Sequence, residues 1–185
     1  MRVIAGTARR LLLKTLPGSD TRPTTDIIKE TLFNMINFDI PGSAFLDLYA
    51  GSGAIGIEAL SRGASSAVFI DNNPKATTVI NDNLMHTRFT DASDIITADA
   101  VSGIRRLEHS ADKHFDIVFM DPPYDMHLED SALRQLRESS LIDENTMIII
   151  EMSRNADTGH FTDAGYAVTK VKEYKTNKHI FLRRC

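Results

Sequence analysis

The chain has 185 residues, of which 42% are hydrophobic and 25% are charged, values typical of one soluble globular domain. The one cysteine, Cys185, excludes an internal disulfide framework and a zinc site built from several cysteines. The apolar run 147–150 is far too short to span a bilayer, and the N-terminus lacks the apolar stretch of a signal peptide, so we expect a cytoplasmic protein without a membrane partner.

The net charge of −4 is unevenly distributed along the chain. Residues 1–30 carry +3 and residues 170–185 carry +5, which leaves −12 for the middle. Phosphate contacts supply much of the affinity of proteins for nucleic acids, so the basic ends could dock a polyanion. They could equally be two solvated strand faces.

The N-terminal 40 residues predict a small extension. Two short apolar runs, 2–5 and 11–14, surround a polar centre that contains a glycine, a pattern typical of a β-hairpin. Thr24 or Thr25 could cap a helix that runs to about residue 37, and Pro41-Gly42 then breaks the chain. We therefore divide the chain into residues 1–40 and a main domain, residues 41–185.

Strand-like and helix-like segments alternate in the main domain. The predicted strands are 44–49, 67–70, 95–97, 115–120 and 147–152, and the predicted helices are 55–62, 75–86, 100–107 and 128–138. This alternation predicts an α/β, doubly wound, mostly parallel sheet. Residues 166–172 and 179–184 alternate in polarity and predict an antiparallel hairpin at one edge, which gives seven strands in all.

Four aspartates are expected at the ends of the first four strands: Asp47, Asp71, Asp99 and Asp121. Ligands of open α/β sheets bind beyond the carboxyl ends of the strands. One such aspartate is a common helix cap, whereas four in succession predict a binding site at this edge.

The first of these strands leads into a glycine-rich loop, Gly51-Ser52-Gly53-Ala54-Ile55-Gly56, which matches the dinucleotide-binding fingerprint, with Asp71 about 20 residues further on. Charge separates two possible cofactors. NAD brings an anionic pyrophosphate, whereas S-adenosylmethionine brings a cationic sulfonium that suits a crevice lined by carboxylates. The sequence therefore favours S-adenosylmethionine.

The last aspartate opens the motif Asp121-Pro122-Pro123-Tyr124. The two prolines remove backbone donors, which leaves the Asp121 carboxylate and the Pro122 carbonyl as fixed acceptors. Two such acceptors could hold both N–H groups of an exocyclic amine and orient its lone pair toward a methyl group. Tyr124 could stack on a base taken out of its helix. The alternative is a rigid turn after a strand.

These motifs resemble Class I, Rossmann-like methyltransferases, and most closely the RsmD-type 16S rRNA guanine-N2 methyltransferase family. The resemblance spans nearly the whole chain. It is carried by Met1-Arg2-Val3-Ile4-Ala5-Gly6, Thr21-Arg22-Pro23-Thr24-Thr25-Asp26, residues 30–34, residues 47–64 and Asp121-Pro122-Pro123-Tyr124.

The resemblance implies methylation of guanine 966 of 16S rRNA in an assembling small subunit, by a monomer that needs no metal. It implies that the cofactor is held by Asp47, Ala50, Gly51, Ser52, Gly53, Asp71, Asn72, Asp99 and Ala100. It implies that Asp121, Pro122, Pro123 and Tyr124 act on the base, and that Arg9, Arg10, Arg22 and Thr24 contact the RNA, with residues 1–40 as the RNA-contact extension.

Three other functions stay open from the residues alone: a DNA adenine-N6 methyltransferase, an NAD-dependent oxidoreductase, and an RNA-binding assembly factor without activity. Glu58 could reach the glycine-rich loop, or it could lie in the first turn of a helix, where the helix dipole favours an acidic residue. The six histidines show no metal-ligand spacing and are interpreted as surface or structural residues, and Glu151 could be a fifth member of the acidic series.

Overall fold

The computed structural model describes residues 1–16, 23–109, 113–123 and 128–185, with side chains from residue 26 onward in the first helix. The strands are β1 (Ala44–Leu48), β2 (Ser66–Asp71), β3 (Ser93–Thr97), β4 (Ile117–Met120), β5 (Met147–Ser153), β6 (Tyr166–Glu173) and β7 (Asn177–Arg184). The helices are α1 (Pro23–Met35), α2 (Ala54–Ser61), α3 (Pro74–Thr87), α4 (Ala100–Glu108), α5 (Leu128–Glu138) and α6 (His160–Asp163). Within these ranges no helix is both long and apolar enough to cross a membrane.

All seven strands form one sheet in the order β3-β2-β1-β4-β5-β7-β6. Strands β1 to β5 are parallel, while β7 runs antiparallel to both β5 and β6. The predicted fold class is confirmed, including the C-terminal hairpin, of which β6 forms the sheet edge. The strand order reverses at β1, which lies between β2 and β4, and this switch point is where such sheets bind ligands.

Each face of the sheet is covered by a separate hydrophobic core. Phe69 and Phe119 belong to the core that contains α1, α2, α3 and the N-terminal segment. Ile70 and Met120 belong to the other core, which contains α4 and α5. Successive strand residues therefore point to opposite layers, as the pleat of a strand requires.

The N-terminal segment forms the predicted hairpin in a minimal form. Arg2 bridges Leu12, and the Val3 N–H donates to the Leu11 carbonyl at 3.0 Å. Val3 and Leu13 are buried in the same core as α1 and α2. The extension is thus packed against the main domain.

Glu58 joins this extension to the main domain. Its carboxylate is fully buried and accepts hydrogen bonds from the backbone N–H groups of Ile4 (2.8 Å) and Ala5 (3.0 Å). It also pairs with Lys29 of α1 at 3.2 Å and with Arg62 at 2.8 Å. Both predicted roles of Glu58 are wrong, because it lies in the second turn of α2 and points at the N-terminal segment instead of the glycine-rich loop.

Replacing Glu58 should destabilise the fold. Glu58→Ala leaves the buried Lys29 without its anionic partner and two backbone donors without an acceptor, so we expect a loss of about 3 kcal/mol in the free energy of unfolding. Urea denaturation measures this, with Glu30→Ala at an exposed position of α1 as the matched control. A loss below about 1 kcal/mol for Glu58→Ala would contradict this role.

Candidate active site

Parallel pairing brings the predicted acidic residues to one edge. Leu48 of β1 pairs with Ile70 of β2 and with Met120 of β4. The next residues along these strands, Tyr49, Asp71 and Asp121, therefore lie side by side at the switch point. Asp99 follows β3 by two residues on the same edge.

Asp47 does not follow β1 as predicted but lies inside it, and its side chain is buried beneath α2. Its carboxylate accepts a hydrogen bond from the Gly56 N–H at 2.9 Å. Asp47 is the fourth residue of a five-residue strand, so it points into a core layer one step before the edge. It therefore supports the start of α2 from below.

A crevice of about 660 Å³ opens at this edge, a size typical of small-molecule sites. Its walls include seven of the predicted site residues: Asp71, Asn72, Asp99, Ala100, Asp121, Pro122 and Pro123. Ile70 and Val101 add apolar surface. Asp47, Ala50 and the loop Gly51–Gly53 are not among the described lining residues, so the structure brings together only part of the predicted set.

The glycine-rich loop is held against the crevice by Asp71. One carboxylate oxygen of Asp71 accepts from the Gly51 N–H and the other from the Asn73 N–H, both at 2.8 Å. A Cβ on Gly56 would lie 2.3 Å from Cε1 of Phe69, so this glycine allows α2 to pack closely on β2. The fingerprint thus shapes the loop and seats the helix behind it.

Asn83 of α3 also supports the loop, although no local sequence pattern indicates this role. Its side-chain amide donates to the Ser52 carbonyl at 2.9 Å and to the Lys14 carbonyl at 3.0 Å, while its oxygen accepts from the Lys14 N–H at 2.8 Å. Asn83 is 1% exposed. It therefore places the end of the N-terminal segment beside the glycine-rich loop.

Tyr49 was also missed, although it immediately precedes the glycine-rich loop. It lines the crevice with a backbone φ of 63°, a left-handed conformation that is uncommon for an aromatic residue. Its hydroxyl donates to the Leu128 carbonyl at 3.1 Å. Tyr49 thereby links the end of β1 to the start of α5, beside the Asp-Pro-Pro turn.

Two of the crevice aspartates, Asp99 and Asp121, have pKa shifts in opposite directions. The Ser102 N–H donates to Asp99 at 2.9 Å and lowers the pKa of this carboxyl, which caps α4. Asp121 opens onto the crevice, but the surrounding protein desolvates its carboxyl and the negative charge of Glu151 acts in the same direction. Both effects raise the pKa of Asp121 to about 8. Such a group favours a nearby positive charge.

The other predicted site residues lie away from the crevice or outside the residues that the structure describes. Tyr124, Arg22 and the side chain of Thr24 lie outside the described residues. Arg9 and Arg10 are exposed in the N-terminal hairpin, where the Thr7 N–H donates to the Ser61 carbonyl at the last residue of α2. The length of α2, about 12 Å at 1.5 Å per residue, separates them from the glycine-rich loop.

Among the described residues one group has the composition of a metal site. Ligand atoms of Glu129, Asp130 and His160 lie within 4.8 Å of one another. His160 Nε2 is 3.1 Å from Asp130 Oδ1, and this ion pair accounts for part of the closeness. We assign no metal to it.

Comparison with known proteins identifies the family. The family described as Conserved hypothetical protein 95 matches residues 1–183. The chain belongs to this family. Ribosomal RNA small subunit methyltransferase D of Haemophilus influenzae is 33% identical over 84% of this chain and 80% of its own length. The Bacillus subtilis protein YlbH is 38% identical over 85% of both chains. The RsmD-type resemblance is thereby confirmed.

A solved structure agrees with this family membership. The Escherichia coli protein yhhF superposes with a TM-score of 0.81 at 28% sequence identity, covering 100% of this chain and 97% of its own. The Rossmann-like architecture is therefore shared over the full length.

The buried Asp47 should make the stability of this family member depend on pH. Desolvation raises the pKa of Asp47 well above its usual range, against the Gly56 hydrogen bond and aided by the charges of Asp121 and Asp71. Below the unfolded-state pKa both states are protonated. Above it the unfolded state ionises more readily, so stability is lost as pH rises.

Asp47→Asn removes this titration and keeps an acceptor for Gly56. We expect the stability advantage of the variant over the wild type to grow with pH above about pH 4, the unfolded-state pKa of an aspartate, by at most about 1.4 kcal/mol per pH unit. Urea denaturation between about pH 4.5 and pH 8 measures this. Asp39→Asn, at an exposed position, serves as the control. If the difference in the free energy of unfolding between Asp47→Asn and the wild type stays constant over this pH range, burial does not raise the pKa of Asp47.

Proposed function

We propose that this protein transfers a methyl group from S-adenosylmethionine to the exocyclic N2 amino group of a guanine in 16S ribosomal RNA, of the guanine 966 type, in an assembling small ribosomal subunit. The carrying observation is the Asp121-Pro122 pair of acceptors at the end of a nucleotide-sized crevice at the switch point. The relatives of this chain that are named ribosomal RNA small subunit methyltransferase D support ribosomal RNA as the substrate.

The crevice residues fit this methyl donor. A carboxylate can accept about four hydrogen bonds, so Asp71 with Asn72 can receive ribose hydroxyls while still holding Gly51. Asp99 and Ala100 then meet the adenine edge, between the apolar side chains of Ile70 and Val101. Ala50 and the backbone of Gly51, Ser52 and Gly53 hold the methionine end, while the buried Asp47 supports the start of α2 behind this loop.

The reaction is a direct transfer. When bound, the donor supplies an electrophilic methyl group on a sulfonium. Asp121 and the Pro122 carbonyl accept the two N–H groups of the base and orient the nitrogen lone pair, while Pro123 keeps the turn rigid. The nitrogen–carbon bond forms as the carbon–sulfur bond breaks, so that an uncharged thioether leaves. The methylated nitrogen carries the positive charge and then loses a proton to Asp121 or to water. Because its pKa is raised, the ionised Asp121 carboxylate is a stronger proton acceptor than an ordinary aspartate.

The remaining predicted residues contribute to RNA binding. Tyr124 would stack on the extruded base, and Arg22 and Thr24 would contact the RNA. Arg9 and Arg10 lie near the last residue of α2, too far from the crevice to reach the same base. We infer that they contact phosphates that flank it. Residues 1–40 thereby act as an RNA-contact extension of a monomeric methyltransferase domain, residues 41–185.

Mass-spectrometric mapping of ribosomal RNA tests this proposal. Cells lacking this gene should lose one N2-methylguanine from 16S rRNA, and a plasmid copy of the wild-type gene should restore it. Asp121→Asn should restore less than about 1% of the methylation, because it replaces an anionic acceptor with an amide.

Asp116→Asn is the matched control, because Asp116 precedes the same strand that Asp121 follows and lies at the opposite edge. It should restore methylation fully. An unchanged set of 16S methylguanines in the deletion strain would reject the proposed substrate, and full activity of Asp121→Asn would reject the proposed mechanism.

A further inference from the structure

The sheet continues past Asp121 on the side away from the donor crevice. The crevice extends over the ends of β3, β2, β1 and β4, and the next strands in the sheet are β5 and β7. A base whose amine meets Asp121 must therefore lie over the ends of β4, β5 and β7. The side chains at these strand ends can therefore determine which base is accepted. This inference rests on the proposed function.

A hydrogen-bonded cluster occupies these strand ends. The Asn177 side-chain amide donates to Oε1 of Glu151, and Nε2 of His179 lies 3.0 Å from Oε2 of the same carboxylate. The Tyr174 hydroxyl is 3.1 Å from Nδ1 of His179. Because Glu151 can only accept when ionised, His179 carries its proton on Nε2, and Tyr174 donates to Nδ1.

Burial shows which part of the cluster faces outward. His179 is 1% exposed and Asn177 is 4% exposed, whereas the Glu151 side chain keeps 19% of its surface open. The His179 ring is further fixed by edge contacts with Phe119 and Tyr174. The buried members thus hold the Glu151 carboxylate in one orientation, with part of it accessible.

Glu151 is also adjacent to Asp121. Met120 pairs with Ile150 across β4 and β5, so Asp121 and Glu151 are the next residues on neighbouring parallel strands. Phe119 and Ile149 share one face of the sheet, and the alternation of β5 places Glu151 on that same face. The negative charge of Glu151 is felt at Asp121, which agrees with this proximity.

We propose that Glu151 selects guanine by accepting the N1–H of the base whose N2 amine is held by Asp121 and Pro122. On the guanine edge the ring N1–H lies next to the amine, so two carboxylates side by side match two adjacent donors. Adenine and cytosine instead present a ring-nitrogen acceptor next to their amines. The Glu151 carboxylate would repel that acceptor and would receive no hydrogen bond from the base.

The base analogue 2,6-diaminopurine isolates this contact, because it keeps the 2-amine but has an acceptor at N1. The probe is small-subunit RNA carrying guanine or 2,6-diaminopurine at the mapped position, made by ligating a synthetic segment and reconstituted into particles. For the wild-type protein we expect kcat/KM for guanine to exceed that for diaminopurine by at least about 30-fold.

In Glu151→Gln the side-chain amide can donate to the diaminopurine N1. We expect guanine methylation to fall by at least about tenfold and the preference for guanine over diaminopurine to drop to about threefold or less. Glu173→Gln, an exposed glutamate at the end of β6, should keep the wild-type preference. Thermal unfolding and calorimetric binding of S-adenosylmethionine verify that both variants are folded.

The outcomes separate the two proposals. Guanine methylation by the wild type with equal activity on diaminopurine would overturn the role of Glu151, whatever the variants do. An unchanged preference in folded Glu151→Gln would overturn it as well. If the wild type methylates no guanine in the particle, the proposed function fails, and the selection of guanine fails with it.

Discussion

Parallel pairing of β1 with β2 on one side and β4 on the other is the constraint on which the crevice depends. It sets Asp71, Tyr49 and Asp121 at one level, although they are far apart in the sequence. The same pairing continues to β5 and places Glu151 next to Asp121. The crevice, the Asp121-Pro122 turn and Glu151 thus form one row along this edge of the sheet.

This row is electrostatically unfavourable without a ligand. Burial and neighbouring carboxylates raise the pKa values of both Asp47 and Asp121. The strained Tyr49 backbone adds to the conformational cost of the same edge. A cationic donor relieves the repulsion between the carboxylates. The stability of the rest of the fold, including the ion pairs of Glu58, keeps this edge folded. Concentrating perturbed carboxylates at one edge of a sheet is typical of functional sites.

Local sequence patterns predicted the elements and much of the edge. Periodicity located each strand of the parallel sheet, and strand-end position brought out Asp71, Asp99 and Asp121. The inward side chain of Asp47 could not be predicted, because it depends on where β1 ends to within one residue. Glu58, Asn83 and the Glu151–His179 pair join residues 26 or more positions apart through tertiary packing, which single-sequence periodicity does not contain.

The central claim is that a positively charged methyl donor binds with its sulfonium near Asp121. Calorimetric titration at pH 8.5 of wild type and Asp121→Asn with S-adenosylmethionine and with its uncharged thioether product, S-adenosylhomocysteine, tests it directly. Removing the charge should weaken binding of the sulfonium about tenfold and change binding of the thioether less than about twofold. Equal changes for the two ligands, or none for either, would contradict the placement of the donor.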